Sequence, residues 1–95
     1  MDALHYRANK VYDNGNTHIM IDQLILSNAK DIICLVSNYR HMECIVDDLL
    51  KDKPKGKFNS QRMHFYNGEQ RIMFYPKDSA SDRIAGHRVD EIYVF

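Results

Sequence analysis

The chain has 95 residues, of which 44% are hydrophobic and 27% charged, and its thirteen basic and thirteen acidic side chains give a formal net charge of zero. This length predicts a single domain, residues 1–95, with a small hydrophobic core. Zero net charge argues against a general nucleic-acid coat protein and against an acidic DNA mimic. The two cysteines, Cys34 and Cys44, have neither the number nor the spacing of a disulfide framework or a zinc site. A reducing cytoplasmic location is therefore expected.

Two targeting features are not expected from the sequence. The N-terminus lacks the apolar segment of a signal peptide. The apolar stretches are all shorter than a membrane-spanning helix. We therefore expect no membrane association.

A short alternation of apolar and polar residues opens the chain. Leu4, Tyr6 and Ala8 alternate with polar side chains, which is the period-two pattern of a strand buried on one face. A central strand of a parallel sheet is apolar on both faces. We therefore expect this first strand to lie near an edge of the sheet or to leave one face open.

The segment that follows has the spacing of a phosphate-binding P-loop with its key groups changed. Residues 10–17 read KVYDNGNT, against the motif G-x-x-x-x-G-K-[ST]. Gly15 and Thr17 match the motif, whereas Lys10 replaces its first glycine. Asn16 replaces the lysine whose positive charge contacts the β- and γ-phosphates, and an amide supplies no such charge. A plain turn over residues 13–16 explains the same residues without a phosphate site.

Two helices and a buried strand are predicted next. The first helix covers residues 17–29, with Asn14 or Asn16 as its N-cap, and residues 31–37 form a short buried strand. The second helix covers residues 38–51. Its apolar side chains recur at three- and four-residue spacing and predict a stripe that faces the core: Tyr39, Met42, Ile45, Val46, Leu49 and Leu50.

A hairpin follows the second helix. The segment 52–56 (DKPKG) breaks the helix, and strands 60–66 and 70–75 flank Asn67-Gly68. An Asn-Gly pair between alternating apolar residues is a strong hairpin signal.

The remaining elements complete a small α/β fold. Residues 76–87 are predicted to form an irregular loop or a single helical turn, and residues 89–95 a final apolar strand. The order β-α-β-α-β-β-β predicts a small, mostly parallel sheet with two right-handed crossover helices. The antiparallel β-hairpin should extend one edge of this sheet.

The C-terminal segment carries a family resemblance. Residues 79–95 read SASDRIAGHRVDEIYVF. This segment resembles the one that leads into the Walker B strand of phage large terminases and related RecA-like P-loop ATPases. The matching positions are Asp82, Arg83, Ile84, Gly86, Val89, Asp90 and the apolar residues 92–95. Together with residues 10–17, the resemblance covers most of the chain, from about residue 6, and implies the N-terminal half of a RecA-like domain.

This resemblance implies a scaffold that has lost ATPase activity. Gly15, Asn16 and Thr17 would be a degenerate phosphate loop without its lysine. The family places a metal-binding Asp and a catalytic Glu directly after the strand that ends here at Phe95. We therefore expect no catalytic residues, no bound metal and no cofactor.

The first functional hypothesis follows from the resemblance. We expect a non-enzymatic viral (phage) accessory protein that binds and inhibits a host or defence protein complex in the host cytoplasm. Its partner would be a protein of host or phage origin. A homodimer is also expected, because two helices cover only one face of a sheet and an exposed apolar face or hairpin edge invites association.

Two alternatives use other features of the chain. Residues 31–50 carry four acidic side chains against one basic, whereas residues 51–88 carry nine basic side chains against four acidic ones, which predicts one basic face. Basic and aromatic side chains together favour contacts with nucleic acid or with a protein partner: Lys53, Lys55, Lys57, Tyr66, Arg71, Tyr75, Arg83 and Arg88. In the second alternative, the helix N-terminus after Gly15 retains a nucleotide or another anion.

The second helix also carries a candidate metal site. His41, Cys44 and Asp48 have a spacing that places them on one helix face, where they could ligate a metal. A solvated helix face is the favoured interpretation, because no fourth ligand is assigned.

Overall fold

The computed structural model describes residues 7–13, 15–79 and 88–95. This part of the chain forms one six-stranded sheet and two α-helices, with a short 3₁₀ helix at Lys77–Ser79. The elements in chain order are β1 (Arg7–Tyr12), α1 (Thr17–Leu26), β2 (Asp31–Val36), α2 (Tyr39–Asp52), β3 (Lys57–Asn59), β4 (His64–Asn67), β5 (Gln70–Pro76) and β6 (Arg88–Val94).

The sheet is mixed, and its strand order is β1-β6-β2-β5-β4-β3. Strands β1, β6, β2 and β5 are parallel, and β4 and β3 continue the sheet in antiparallel pairs. The predicted small α/β architecture with a parallel core and an antiparallel hairpin is confirmed. β1 lies at one edge of the described sheet. Leu4 and Tyr6, which carry much of the predicted alternation, lie outside the described residues, and β1 extends instead into the segment with P-loop spacing. The strand predicted over residues 89–95 lies in the middle of the parallel core.

Local side-chain contacts explain where the helices begin. The Asn16 side chain accepts a hydrogen bond from the Ile19 N–H at 3.2 Å, and Asn38 accepts one from the His41 N–H at 2.8 Å. Each satisfies a backbone donor that has no partner within its helix. α1 ends at Leu26, earlier than predicted, and the N–H of Ser27 is the last to bond back into it.

Strand β3 was not predicted, because its three residues are too few to show a period. It forms because Phe58 points into the core, where its ring lies 6.3 Å from that of Phe74. A side chain at Gly56, just before β3, would overlap the ring of Phe65. Lys57, one of the predicted contact residues, is the first residue of this strand.

The strand predicted over residues 60–66 begins later, at His64. Asn59 turns the chain first, since its side chain accepts hydrogen bonds from the N–H groups of Gln61 and Arg62, both at 3.0 Å. Met63 then adopts a left-handed conformation with φ of 58°. This backbone is rare for a residue other than glycine. The Met63 carbonyl accepts the Phe74 N–H at 3.0 Å, which helps to hold the turn.

Both helices pack on one face of the sheet. Leu24 of α1 and Leu49 of α2 are fully buried in one cluster with Ile32, Phe65 and other inward side chains of the sheet. The spacing of apolar residues on α2 therefore identified its core face, with Tyr39 as the exception. Tyr39 is the first residue of the helix and is 52% exposed.

The opposite face of the sheet also carries a buried apolar group. Ile33, Leu35, Met73 and Ile92 are each at most 2% exposed in the single chain. The apolar face from which a homodimer was predicted is therefore already buried at these residues, and the homodimer itself stays a prediction. The hairpin edge ends in β3, which is short and carries the exposed Lys57. Such an edge disfavours strand pairing.

Candidate functional site

The proposed phosphate loop is divided between a strand and a helix. Lys10 pairs with Glu91 in the sheet, and Tyr12 pairs with Tyr93, so the first part of the segment is extended. Gly15 has φ of 76°, a conformation that glycine adopts without strain. Asn16 is the N-cap of α1, and Thr17 is its first residue. The connection after β1 is therefore shorter than the P-loop motif.

A polar cluster lies beneath the C-terminal end of α1. Glu91 accepts hydrogen bonds from Ser27 Oγ at 2.6 Å and from the Tyr93 hydroxyl at 3.1 Å, both at Oε1. The Tyr12 hydroxyl donates to Glu91 Oε2 at 3.5 Å, and its ring stacks on that of Tyr93 with centroids 4.5 Å apart. Each hydroxyl donates to the same carboxylate, so the cluster ties α1 and β1 to β6.

Burial sets the protonation of the groups around Glu91. The pKa of the Tyr93 phenol is raised, first by burial and then by the negative charge of Glu91. The same two causes raise the pKa of the buried Cys34 thiol. Both groups stay protonated at neutral pH, which makes Tyr93 a donor and disfavours a reactive thiolate at Cys34. This cluster was not predicted from the sequence. Tyr12 meets Glu91 and Tyr93 only through the pairing of β1 with β6, and the sequence of neither strand reveals that register.

An exposed aromatic side chain marks the carboxyl ends of β2 and β5. Tyr39 lines two depressions, which we call the notch and the groove. The notch is an apolar cavity of about 90 Å³, and its other lining residues are Val36, Asn38, Met42, Met63, Phe74, Tyr75 and Pro76. The groove is a wider cavity of about 230 Å³ between α2 and β3, and it is lined further by Glu43, Val46, Asp47, Leu50, Phe58 and Ser60. Tyr39 thus stands between an apolar and an acidic depression.

A third depression, of about 290 Å³, lies at the opposite ends of these strands. It is lined by Ser27, Asn28, Lys30, Lys53, Asn67, Glu69 and Gln70. The buried Gln70 amide donates from Nε2 to the carbonyls of Ser27 and Ala29, both at 2.9 Å. These bonds fasten the hairpin to the loop after α1. Lys53 lines this depression and is the residue directly after α2. It is therefore not on the strands that carry Lys57, Tyr66 and Arg71.

Half of the predicted contact residues gather on the sheet face opposite the helices. Lys57, Tyr66 and Arg71 occupy paired positions on β3, β4 and β5, and Arg71 pairs in turn with Asp31 of β2. Tyr75 lies on the same face of β5, as the alternation of its neighbours shows. We call this set of side chains, together with His64, the aromatic–basic face.

The other predicted contact residues lie elsewhere. Lys53 and Lys55 belong to the connection between α2 and β3, and Arg88 is exposed at the start of β6. Arg83 lies outside the described residues, as do residues 80–87 of the segment that carries the terminase resemblance. The predicted basic surface over residues 51–88 is therefore not one continuous patch within the described part of the chain.

His64 belongs to the aromatic–basic face but was not predicted as a contact residue. Its Nδ1 lies 3.0 Å from the Tyr66 hydroxyl, and the two rings meet edge to face at 5.9 Å. Burial, followed by the positive charges of Arg71 and Arg62, lowers the pKa of His64. Arg71 also forms an ion pair with Asp31 at 3.1 Å. The face thus combines two adjacent rings with neighbouring guanidinium groups.

The helical metal site receives no support from the geometry. Within residues 7–13, 15–79 and 88–95, no group of three or more His, Cys, Asp or Glu side chains is placed to hold a metal ion. Cys44 is exposed, whereas the His41 ring packs edge to face against Phe95 at 5.9 Å. His41 is therefore partly structural, and the face is not uniformly solvated.

Comparisons with protein-family models, with curated proteins and with solved structures found no match for this chain. They provide no link to terminases or RecA-like domains. Among the described helices, none has the length and apolar composition needed to cross a membrane.

Proposed function

We propose that this protein acts by binding a protein partner at the surface formed by Tyr39, the notch and the groove. The observation that carries the proposal is the exposed Tyr39 ring at the junction of the two depressions. Tyrosines beside well-packed pockets are common energetic centres of protein interfaces. The notch, at about 90 Å³, is smaller than the roughly 300–1,000 Å³ of small-molecule sites. It suits a single apolar side chain of a partner.

The groove specifies the charge of the partner. Glu43 and Asp47 are exposed along it, and its lining includes no basic residue. Val46, Leu50 and Phe58 supply its apolar floor. A partner with a lysine or arginine close to an apolar anchor complements this pattern, since complementary charge at an interface rim speeds association and fixes orientation.

The resemblance to phage packaging ATPases supports the finer part of the proposal. On that basis the protein is a viral accessory protein of the host cytoplasm that inhibits a host or defence complex. The neutral Asn16 in the lysine position, which serves as the cap of α1, supports a role without ATP turnover. The resemblance between the sequences is the sole support for a viral origin.

Affinity capture with matched variants tests the binding surface. Tagged natural protein, Tyr39→Ala and Ile19→Ala are compared as baits, and captured proteins are identified by mass spectrometry. Ile19 is a suitable control, because it is 49% exposed and lies on α1. We expect a partner that is retained by Ile19→Ala but lost with Tyr39→Ala.

The purified partner gives the quantitative result. Its Kd for Tyr39→Ala should rise at least roughly tenfold, as for an interface hot spot. Glu43→Lys should also weaken binding, through charge repulsion with the basic residue of the partner. An unchanged Kd for Tyr39→Ala, with circular dichroism showing a folded variant, would exclude this surface.

A further inference from the structure

The aromatic–basic face has an unusual composition for a protein surface. β3, β4 and β5 contain no aspartate or glutamate. On the face opposite the helices, the exposed side chains of these strands are Lys57, Asn59 and Arg71, and the half-buried ones are His64, Tyr66 and Tyr75. The aliphatic Met73 on the same face is buried. The accessible groups on this face are thus aromatic rings, cations and one amide.

The strand register places these groups in two adjacent rows. Lys57, Tyr66 and Arg71 are paired across the strands and form the first row. Asn59 and His64 are paired in the same way and form the second row, two residues further along each strand. Neighbouring strands lie about 4.8 Å apart, and side chains on one face recur about every 6.5–7 Å along a strand. Two rings therefore lie side by side, with a cation on either side of Tyr66.

We propose that the aromatic–basic face binds single-stranded nucleic acid, with bases stacked on Tyr66 and His64 and with phosphates held by Lys57 and Arg71. Aromatic rings stack on bases of any sequence, and adjacent cations contact the backbone. Stacking of this kind requires bases that are free of a duplex, so an unpaired strand is the favoured ligand.

The composition of the face favours nucleic acid over a second protein partner. Tyrosine and arginine also occur at protein interfaces, but such interfaces are built around an apolar centre, and the one aliphatic side chain on this part of the face, Met73, is already buried within the chain. The absence of acids along three neighbouring strands removes the groups that repel phosphate. Asp31 is the nearby exception, and its charge is paired with Arg71 at 3.1 Å.

The zero net charge of the chain limits the electrostatic part of the affinity. Two phosphate contacts predict a shallow salt dependence, with a slope of log K against log salt of about −1.4 for a single strand. Stacking should therefore carry much of the binding. This distinguishes the proposed site from a basic coat surface, whose affinity falls steeply with salt.

Fluorescence anisotropy with labelled oligonucleotides tests the proposal. The probes are a short oligothymidine, an oligouridine of equal length and a matched DNA duplex, titrated with the natural protein at low salt. We expect the single strands to bind more tightly than the duplex. Tyr66→Ala should weaken single-strand binding by roughly fivefold or more, as loss of one stacked base does.

Matched variants separate stacking from charge and from folding. Tyr66→Phe keeps the ring and should retain binding, which controls for destabilisation of Tyr66→Ala. Lys57→Gln should reduce the salt slope by about 0.7, whereas Lys51→Gln, an exposed change on α2, should leave it unchanged. Tyr39 is not part of the aromatic–basic face, so Tyr39→Ala should bind the single strand as the natural protein does.

Three results would overturn the proposal: no binding of any single strand at low salt, equal or tighter binding of the duplex, or full binding by folded Tyr66→Ala. In each case the stacked single-strand arrangement is wrong. A protein ligand for this face would give the first of these results.

Discussion

At the scale of single residues, the pKa of His64 reflects its burial and the positive charges around it. The side chain lies among the cations of the aromatic–basic face, and its pKa is lowered by burial and by Arg71 and Arg62. The neutral imidazole is therefore favoured in the folded protein. Its Nδ1 contact with the Tyr66 hydroxyl at 3.0 Å positions the two rings.

The lowered pKa of His64 predicts a pH dependence of stability. Above the ordinary pKa of about 6.5, the side chain is neutral in both the folded and the unfolded state. As the pH falls below this value, the unfolded state takes up the proton first, so the free energy of unfolding decreases until the folded pKa is passed. Urea unfolding across this range should show a steeper loss for the natural protein than for His64→Gln. Identical pH dependences would show that the environment of His64 does not disfavour its charge.

Asn16 shows why restoring one residue should not restore ATP turnover. Its side chain caps α1, and Lys10 and Tyr12 remain paired in β1. A lysine at position 16 would add a charge but would leave the preceding residues in a strand. We expect phosphate release from Mg–ATP to match a buffer blank for both the natural protein and Asn16→Lys. Turnover by the natural protein would refute the non-enzymatic proposal.

At the scale of elements, α2 provides a large part of the core. Leu49 is fully buried, whereas Cys44 on the same helix is exposed. Leu49→Ala should lower the free energy of unfolding by about 2–5 kcal/mol, because it removes buried methyl groups and leaves a cavity. Cys44→Ala should cost less than about 0.5 kcal/mol. If urea unfolding gave similar losses of stability for Leu49→Ala and Cys44→Ala, the side of α2 that faces the core would not be the one described.

The elements found from sequence are those with a strong local signal. The spacing of Met42, Ile45 and Leu49 revealed α2, and Asn67-Gly68 revealed the hairpin. β3 and the left-handed Met63 had no such signal, because both depend on contacts with distant residues. The Phe58 ring packs near Phe74, and the Met63 carbonyl pairs with the same residue. Such contacts become visible only when the sheet is assembled.

The candidate sites were predictable to different extents. The residue types of the aromatic–basic face were identified from sequence, including Tyr66 and Arg71. Their assembly required the register of β3, β4 and β5, which also adds His64 and excludes Lys53. The notch and groove were not predicted, because Tyr39 follows the apolar spacing of α2 and was assigned to the core. Its position at the first turn of the helix leaves it exposed.

At the scale of the whole molecule, the two proposed surfaces carry opposite charges although the net charge of the chain is zero. The acidic groove lies on the helical side, with Glu43 and Asp47 on α2. Lys57 and Arg71 lie on the opposite face of a sheet whose last three strands lack acids. The two proposed surfaces thus differ in both face and charge. The two surfaces share only Tyr75 among these residues, because it lines the notch and also belongs to the aromatic–basic face.

Hydrogen exchange of the complex with the captured partner tests the central claim most directly. Amide exchange measured with and without the partner should slow in residues 38–50 and 57–63, which border the notch and the groove. Residues 17–26 of α1 should exchange at the same rate in both samples. Protection confined to α1 or β1, with no change around Tyr39, would contradict the proposed binding surface.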